Sequence, residues 1–417
     1  MKSQPKRRQS KSDTLDFSDT RVAFSSLSDL ALRRTWAIFR SMSSNLLVKV
    51  GPKLVGTALG LRLPITWAIE PTLFRQFCGG TSIGDCEERV AELHRYGIET
   101  TLDYAVESVA SEEGFDAATA EIIRTVERAR GAPEMAFCVF KATGIGASDV
   151  LEKVSEIIRA RGVEAFAAGE RNGLDPAVIA AWNKISDRVA RMCAAAEAGG
   201  TRIFVDAEES WFQDAIDFLA EREMRKHNRN RAIVYTTFQM YRHDQLEHLT
   251  KLIESAKVET FIVGAKLVRG AYMTKERARA ERMGYPSPIQ ATKADTDRDY
   301  DAALALCVAN LDHVAICAGS HNESSALKLT ELMQSAKVAK SDARIYFSQL
   351  MGMGNHISFN LAHHGYRVAK YVPYGPVAAV LPYLFRRAEE NTSIAGQTSR
   401  ELAMIETEIA RRRRQKS

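Results

Sequence analysis

From about residue 97 the sequence alternates short β-branched or aromatic runs with longer amphipathic stretches, eight times over. The predicted strands are Glu99–Tyr104, Met135–Lys141, Arg202–Asp206, Ala232–Thr237, Phe261–Val268, His313–Ala318, Ala343–Phe347 and Tyr366–Val372. The stretches between them are long enough for crossover helices, so each neighbouring pair can run parallel. Eight such units in one chain point to an α/β fold, a (β/α)8 TIM-like barrel. The gap between the second and third runs, residues 142–201, is too long for one helix and predicts extra helices inserted after strand 2. Upstream, Leu27, Leu30, Leu32, Trp36 and Phe39 recur at helical spacing, with joints at Gly51–Pro52 and Leu63–Pro64. The expected organisation is a disordered basic tail at 1–20, an N-terminal helical segment at 21–96, the barrel at 97–400 and a basic C-terminal tail at 401–417.

Charge placement narrows the partners. Lys and Arg number 57 against 52 Asp and Glu, a net charge of +5. Residues 1–12 carry five cations and no acid, and residues 411–417 carry five more, which leaves the body at −5. A basic nucleic-acid-binding body is thereby disfavoured. The longest apolar candidate, Leu46–Ile69, is broken by Lys49, Pro52, Lys53, Arg62 and Pro64, so no spanning helix is expected. The N-terminal cations are followed by Asp13, Asp16 and Asp19 instead of an apolar core, which fits neither a signal peptide nor an acid-poor presequence. The six cysteines, Cys78, Cys86, Cys138, Cys193, Cys307 and Cys317, show no metal-ligand spacing and read as reduced, intracellular packing. No metal is expected.

A barrel does its chemistry at the C-terminal ends of its strands. The polar residues there are Asp103 and Tyr104, Lys141, Asp206 with Glu208, Thr236 with Gln239, Lys266 with Arg269 and Tyr272, Ser320-His321-Asn322, Gln349, and Tyr371. Any one of these could simply be a strand running into a polar loop; eight in series are less easily explained so. After the last strand, Tyr383, Arg386, Arg387 and Glu390 fall at i, i+3, i+4 and i+7, one face of a helix. Glu390 is spaced to hold a guanidinium, and an Arg pair oriented in this way suits a carboxylate. The bland alternative is a solvated charged face, which the nearby Tyr371, Tyr374 and Pro382 make less attractive. In Lys266-Leu267-Val268-Arg269-Gly270-Ala271-Tyr272, two cations precede a glycine that permits close backbone approach, an arrangement suited to an anionic or electron-rich cofactor. There is no GxGxxG, Walker A, HExxH or GxSxG motif.

At these residues the sequence resembles proline dehydrogenase. The resemblance is carried by Phe77-Cys78-Gly79-Gly80, Leu102–Glu107, Val205–Glu209, Lys266–Tyr272, Ser320-His321-Asn322, Gln349–Gly354, Tyr371–Gly375 and Tyr383–Asn391, and runs from about residue 20 to 400. It implies a distorted (β/α)8 barrel with noncovalent FAD. The implied reaction oxidises L-proline to 1-pyrroline-5-carboxylate, and the electrons pass to a membrane quinone. It implies that Lys141, Arg386 and Arg387 bind the substrate carboxylate, and that Tyr272, Leu350, Tyr371 and Tyr383 wall the ring. Asp206 and Lys266 take the catalytic positions. Thr236, Gln239, Lys266, Arg269, Gly270, Ala271, Lys293, Ser320, His321 and Glu390 fall in or support the flavin contacts. Lys266 stands where bifunctional relatives have Arg, and Thr236 where they have Gln.

The implied location is cytoplasmic, peripheral on the inner face of a membrane, or mitochondrial in a eukaryote. Two other functions stay open on the residues alone. One is 4-hydroxyproline oxidation, disfavoured because Tyr371 would crowd a ring hydroxyl. The other is a flavin-free barrel with a binding or regulatory role, disfavoured by the near-complete site.

Overall fold

The computed structural model describes residues 15–42, 69–106, 111–393 and 397–416, the side chains of 387–393 and 397–399 excepted. The chain opens with α1 (Thr20–Ala23) and α2 (Asp29–Met42), then a short helical stretch over Glu70–Phe77 and α3 (Ile83–Arg95). The barrel follows as β1 (Ile98–Tyr104), α4 (Glu112–Ala129) and β2 (Met135–Lys141). Next come α5 (Ser148–Arg161), α6 (Val163–Ala167) and α7 (Pro176–Gly199), the insertion expected after strand 2. Then come β3 (Arg202–Asp206), α8 (Ser210–His227), β4 (Val234–Gln239), α9 (Gln245–Glu259) and β5 (Val263–Val268). Two helices, α10 (Met273–Met283) and α11 (Lys293–Ala309), lead to β6 (Val314–Gly319), α12 (Glu323–Ser335), β7 (Ile345–Leu350), α13 (Asn355–His363) and β8 (Val368–Tyr374). The chain closes with α14 (Val377–Ser393) and α15 (Gln397–Arg414).

All eight strands are parallel, and β1 pairs with both β2 and β8, so the ring closes without an edge. Strand residues alternate between the two faces. The inward set at the base is aromatic: Phe137 stacks on Phe204 at 4.2 Å and meets Tyr235 and Tyr346 edge-on. The outward set, with residues such as Cys138, Ile203, Val234, Ala265 and Ile316, packs beneath the helices in a separate, larger core. Both faces are buried, which is why the strands read as continuous apolar runs. β4 begins and ends two residues later than expected. The side chain of Asn228 accepts from the N–H groups of both Ile233 and Val234, so the ladder starts at Val234 and extends to Gln239.

The C-terminal cations are not a tail. Met404 and Ile405 bury against Leu32 and Phe39 of α2, and Glu408 is fully buried. Glu408 accepts from Arg411 and Arg412 at 2.7 Å, and Arg412 also donates to the carbonyls of Phe24 and Leu27. Lys416 bonds Asp29 at 2.5 Å. An amphipathic helix with its own acids thus turns Arg411 and Arg412 inward, while Arg413, Arg414 and Lys416 stay exposed. Residues 15–20 join it, with Phe17 buried and the Thr20 hydroxyl donating to Glu408 at 2.9 Å, so the expected disordered tail does not extend through them. The expected joints at Gly51–Pro52 and Leu63–Pro64, and the cations of residues 1–12, lie outside the described residues. No described helix is long and apolar enough to cross a membrane.

Candidate active site

The inward-facing residues at the tops of the strands meet in one cavity of about 580 Å³. Lys141 and Asp206 are register partners on β2 and β3, so their side chains enter it side by side. Asp206 is the hub. Its Oδ1 is bonded to Lys266 Nζ; its Oδ2 lies 3.2 Å from Lys141 Nζ and accepts from the Tyr371 hydroxyl at 2.9 Å. Tyr371 in turn lies 3.3 Å from Lys141, and the buried Asp103 stands 3.6 Å from the same ammonium. Lys266 Nζ sits 4.9 Å from the ring centroids of both Phe204 and Tyr371, in cation–π contact with each.

Burial alone would raise the Asp206 carboxyl, but the Lys266 and Lys141 charges and the hydrogen bonds from Lys266 and Tyr371 hold it well below the usual carboxylate range. Burial pushes the Asp103 carboxyl up against the opposing pull of Lys141, with Asp206 adding to the rise. The Tyr371 phenol is raised far above its ordinary value by burial and by the same two carboxylates. Tyr371 therefore stays a donor and Asp206 stays ionised across the physiological range.

The walls come from elsewhere in the chain. Tyr272, Leu350, Tyr383 and Arg386 all line the cavity. Arg387 and Glu390 lie on α14, with side chains outside the described residues. Leu350 sits at the start of a loop that needs Gly352 at φ +78°, because a Cβ there would meet the Gln76 carbonyl at 2.3 Å. The Gln76 amide donates to that glycine's carbonyl at 3.1 Å, tying the loop to the N-terminal segment.

The far end of the cavity is the turn from β6 into α12. Ser320 accepts from the Asn322 N–H at 3.0 Å, and Asn322 caps α12 by accepting from Ser325 N–H at 3.1 Å. Arg269 is a strut more than an open cation. Its guanidinium bonds Asp297, Ser320 and Ser325 at 2.6, 2.7 and 2.9 Å and stacks over Tyr300. Lys293 lies at the rim, paired with Asp297 at 2.5 Å and largely exposed. His321 and Ala271 also line the cavity. So does Gly270, whose φ of +129° and missing Cβ answer to the Tyr241 ring 2.5 Å away; that ring, more than a ligand, demands the glycine.

Thr236 is misplaced by the sequence reading. On β4 the inward positions are Tyr235, Thr237 and Gln239, and the last two line the cavity. Thr236 has the opposite parity and points at α8, its hydroxyl 3.4 Å from Asp217 Oδ1. His356 and Arg400 also reach the cavity, from α13 and α15. Their sequence neighbours carry no strand-end signal, so nothing in the pattern points to them.

Asp217 belongs to a buried polar network behind β4. His248 Nε2 lies 2.8 Å from Glu221, and its Nδ1 lies 3.8 Å from Asp217. Burial opposes the charged imidazole, but the Glu221 bond and the Asp217 and Glu221 charges outweigh it and push His248 up to about 9. A raised value in the folded state means that its stabilisation is complete below the ordinary value of about 6.5 and lost as pH rises through about 9. Urea unfolding at pH 9.5 should therefore show on the order of 2 kcal/mol less stability than at pH 6.5. His248→Gln should flatten that difference; an unchanged slope would remove His248 as its source.

The sequence pattern of one family, described as Proline dehydrogenase, matches residues 86–400. The "Proline dehydrogenase 1, mitochondrial" of Dictyostelium discoideum is 33% identical to this chain, over 94% of it and 74% of the relative. The "Carbapenem antibiotics biosynthesis protein CarD" of Pectobacterium carotovorum is 34% identical, over 81% of this chain and 83% of its own length. Among solved structures, proline utilization A from Bdellovibrio bacteriovorus, inactivated by N-propargylglycine, superposes with a TM-score of 0.68 over 91% of this chain at 18% identity. That likeness shows the barrel fold, and this chain spans 38% of that larger protein.

Proposed function

The chain belongs to the proline dehydrogenase family of oxidoreductases, and from that premise we propose that it oxidises L-proline to 1-pyrroline-5-carboxylate with FAD as resident cofactor and a quinone as electron acceptor. The observation that carries the reading is the placement of Lys141 and Arg386 on one small cavity, walled by Tyr371, Tyr383, Tyr272 and Leu350. Proline is a small zwitterion with an apolar ring, and this is a pair of cations beside an apolar wall. A flavin nucleotide suits the rest of the space. The volume falls in the range of cofactor sites, and Ser320, Asn322, Ser324 and Lys293 offer hydroxyl, amide and ammonium groups to a polar tail.

When bound, FAD would supply the hydride-accepting chemistry for oxidation at the substrate carbon next to the ring nitrogen. The chain's own work is to bind and orient. Lys141, Arg386 and Arg387 take the carboxylate, with charge-assisted bonds that fix its direction. The aromatic wall and Leu350 hold the ring and exclude water. Lys266, fixed by Asp206, brings an ammonium to the strand end, suited to the electron-rich edge of a flavin. Gln239, Arg269, Gly270, Ala271, Ser320 and His321 line or brace the cofactor portion. Glu390 on α14 is assigned to hold a guanidinium of the Arg pair. Asp206, ionised throughout, anchors the two lysines and offers no proton.

A quinone acceptor would bring the enzyme to a membrane surface, and in a eukaryotic cell to the mitochondrion, as in the name of the Dictyostelium relative. Purified protein should be yellow, absorbing near about 450 nm, and should reduce a quinone analogue or dye only when proline is added. Flavin-loaded protein inert toward proline would end the reading.

Tyr371 bears on substrate choice. Its hydroxyl is locked between Asp206 and Lys141, so it cannot swing aside for a ring substituent. Tyr371→Ser should raise the ratio of 4-hydroxyproline to proline turnover by roughly 10–200-fold, the range for pocket-size discrimination. A flat ratio would mean that this residue does not select the substrate.

A further inference from the structure

The β2–β3 ladder ends at the pair Lys141 and Asp206. Beyond it the backbones part: β2 enters the tight turn Ala142–Gly144, and β3 runs toward α8 at Ser210. No β2–β3 ladder bond then ties together the two turns that follow the site's central ion pair. One side chain spans the gap. Glu208, two residues past Asp206, accepts from the backbone N–H of Thr143, two residues past Lys141, at 3.0 Å. Its second oxygen is bonded to the Thr143 hydroxyl.

Every polar group of Glu208 is committed in this way. Its N–H donates to the Gln213 side chain at 2.9 Å, and its carbonyl accepts from the Gln239 amide at 2.7 Å. Glu208 is 3% exposed and stands behind the wall formed by Asp206 and Ala207. Burial pushes its carboxyl up to about 7, partly offset by the Thr143 bonds. The adjoining Ser210 is pinned separately, its N–H and hydroxyl both donating to Glu276 at 2.6 Å.

We propose that Glu208 is a positioning residue, a clamp from the β3 turn to the β2 turn that sets the Lys141 ammonium where it can take the substrate carboxylate. This rests on the reading of Lys141 as a carboxylate ligand. A clamp of this kind acts on substrate affinity more than on turnover. It also depends on hydrogen bonding more than on charge: the Thr143 N–H needs only an oxygen, and the Thr143 hydroxyl, which accepts as well as donates, needs only a polar partner on the second arm. Gln239, which lines the cavity, donates to the backbone carbonyl of the same residue, a contact that substitution of the Glu208 side chain leaves in place.

The test uses the flavin-loaded full chain. Glu208→Ala should raise the proline KM about tenfold, the scale of losing one or two buried hydrogen bonds. Its kcat should stay within about threefold and its flavin content should not change. Glu208→Gln, which still presents an oxygen to Thr143, should recover a KM within about twofold of the parent. Thr143→Val should raise KM by itself yet add nothing on the Glu208→Ala background, as two ends of one contact must. If Glu208→Ala fails to fold, the single Thr143→Val and Glu208→Gln variants decide alone: a parental KM in Thr143→Val, or a large KM rise in Glu208→Gln, overturns the clamp. An unchanged KM in Glu208→Ala, or fully additive effects, does the same. Lys141→Met separates the layers. If it leaves KM unchanged, the carboxylate assignment itself is wrong; if it raises KM while Glu208→Ala does not, only the clamp falls.

Discussion

Asp206→Ala should nearly abolish proline turnover and destabilise the fold together. The carboxylate is the shared partner of Lys141, Lys266 and Tyr371, all at the mouth of a packed barrel. Removing it leaves the Lys266 ammonium, 7% exposed, without its ion-pair partner, a change that costs roughly 3–5 kcal/mol in buried pairs. The Lys141 ammonium loses the nearer of its two carboxylates and drifts toward Asp103. A misplacement of about 1 Å at an orienting group costs on the order of 100-fold, so kcat/KM should fall at least that far. The two losses can be separated. Asp206→Ala combined with Lys266→Met removes the stranded charge along with its partner and should regain most of the urea stability, yet turnover should stay low. An Asp206→Ala protein with parental stability and activity would show that the hub is ornamental.

The parts of this site that were legible in sequence are those where strand and function end together. β2 and β3 were bounded correctly because a charged residue, Lys141 or Asp206, closes each apolar run. β4 was not, because Thr236, Thr237, Phe238 and Gln239 grade from polar to apolar and back, and the start is set by a side chain in the preceding loop, Asn228. The flavin-contact role of Thr236 rests on the resemblance alone; period-2 alternation from Tyr235 selects Thr237 and Gln239 instead. Asp103 was visible as a strand-end acid, but its closeness to Lys141 depends on a register shift between Thr100 and Thr101 that no composition reveals. The C-terminal helix was hidden by its own arginines. Leu402, Ile405 and Ile409 have helical spacing, and Glu401 and Glu408 fall on the buried side, but a run of four cations reads first as a tail.

Arg386→Met should raise the proline KM by about 10- to 150-fold with the flavin still bound, the consequence of losing a charge-assisted contact worth roughly 1.5–3 kcal/mol. Arg386 lies far in sequence from Lys141, and it reaches the cavity from α14, which is no part of the strand ring. Its influence already shows in the cavity: burial raises the Tyr272 phenol strongly, Glu208 adds to the rise, and the Arg386 and Lys141 charges oppose it. The two cations therefore act on the same space from different layers of the fold. Met keeps the length and apolar stem of the side chain, so the wall should remain and only the charge be lost. The expected signature is a KM effect that shrinks when the substrate lacks its carboxylate, as with pyrrolidine compared with proline. If the variant and the parent discriminate equally between those two amines, Arg386 does not touch the carboxylate, and the anchoring falls to Lys141 with a partner on another wall.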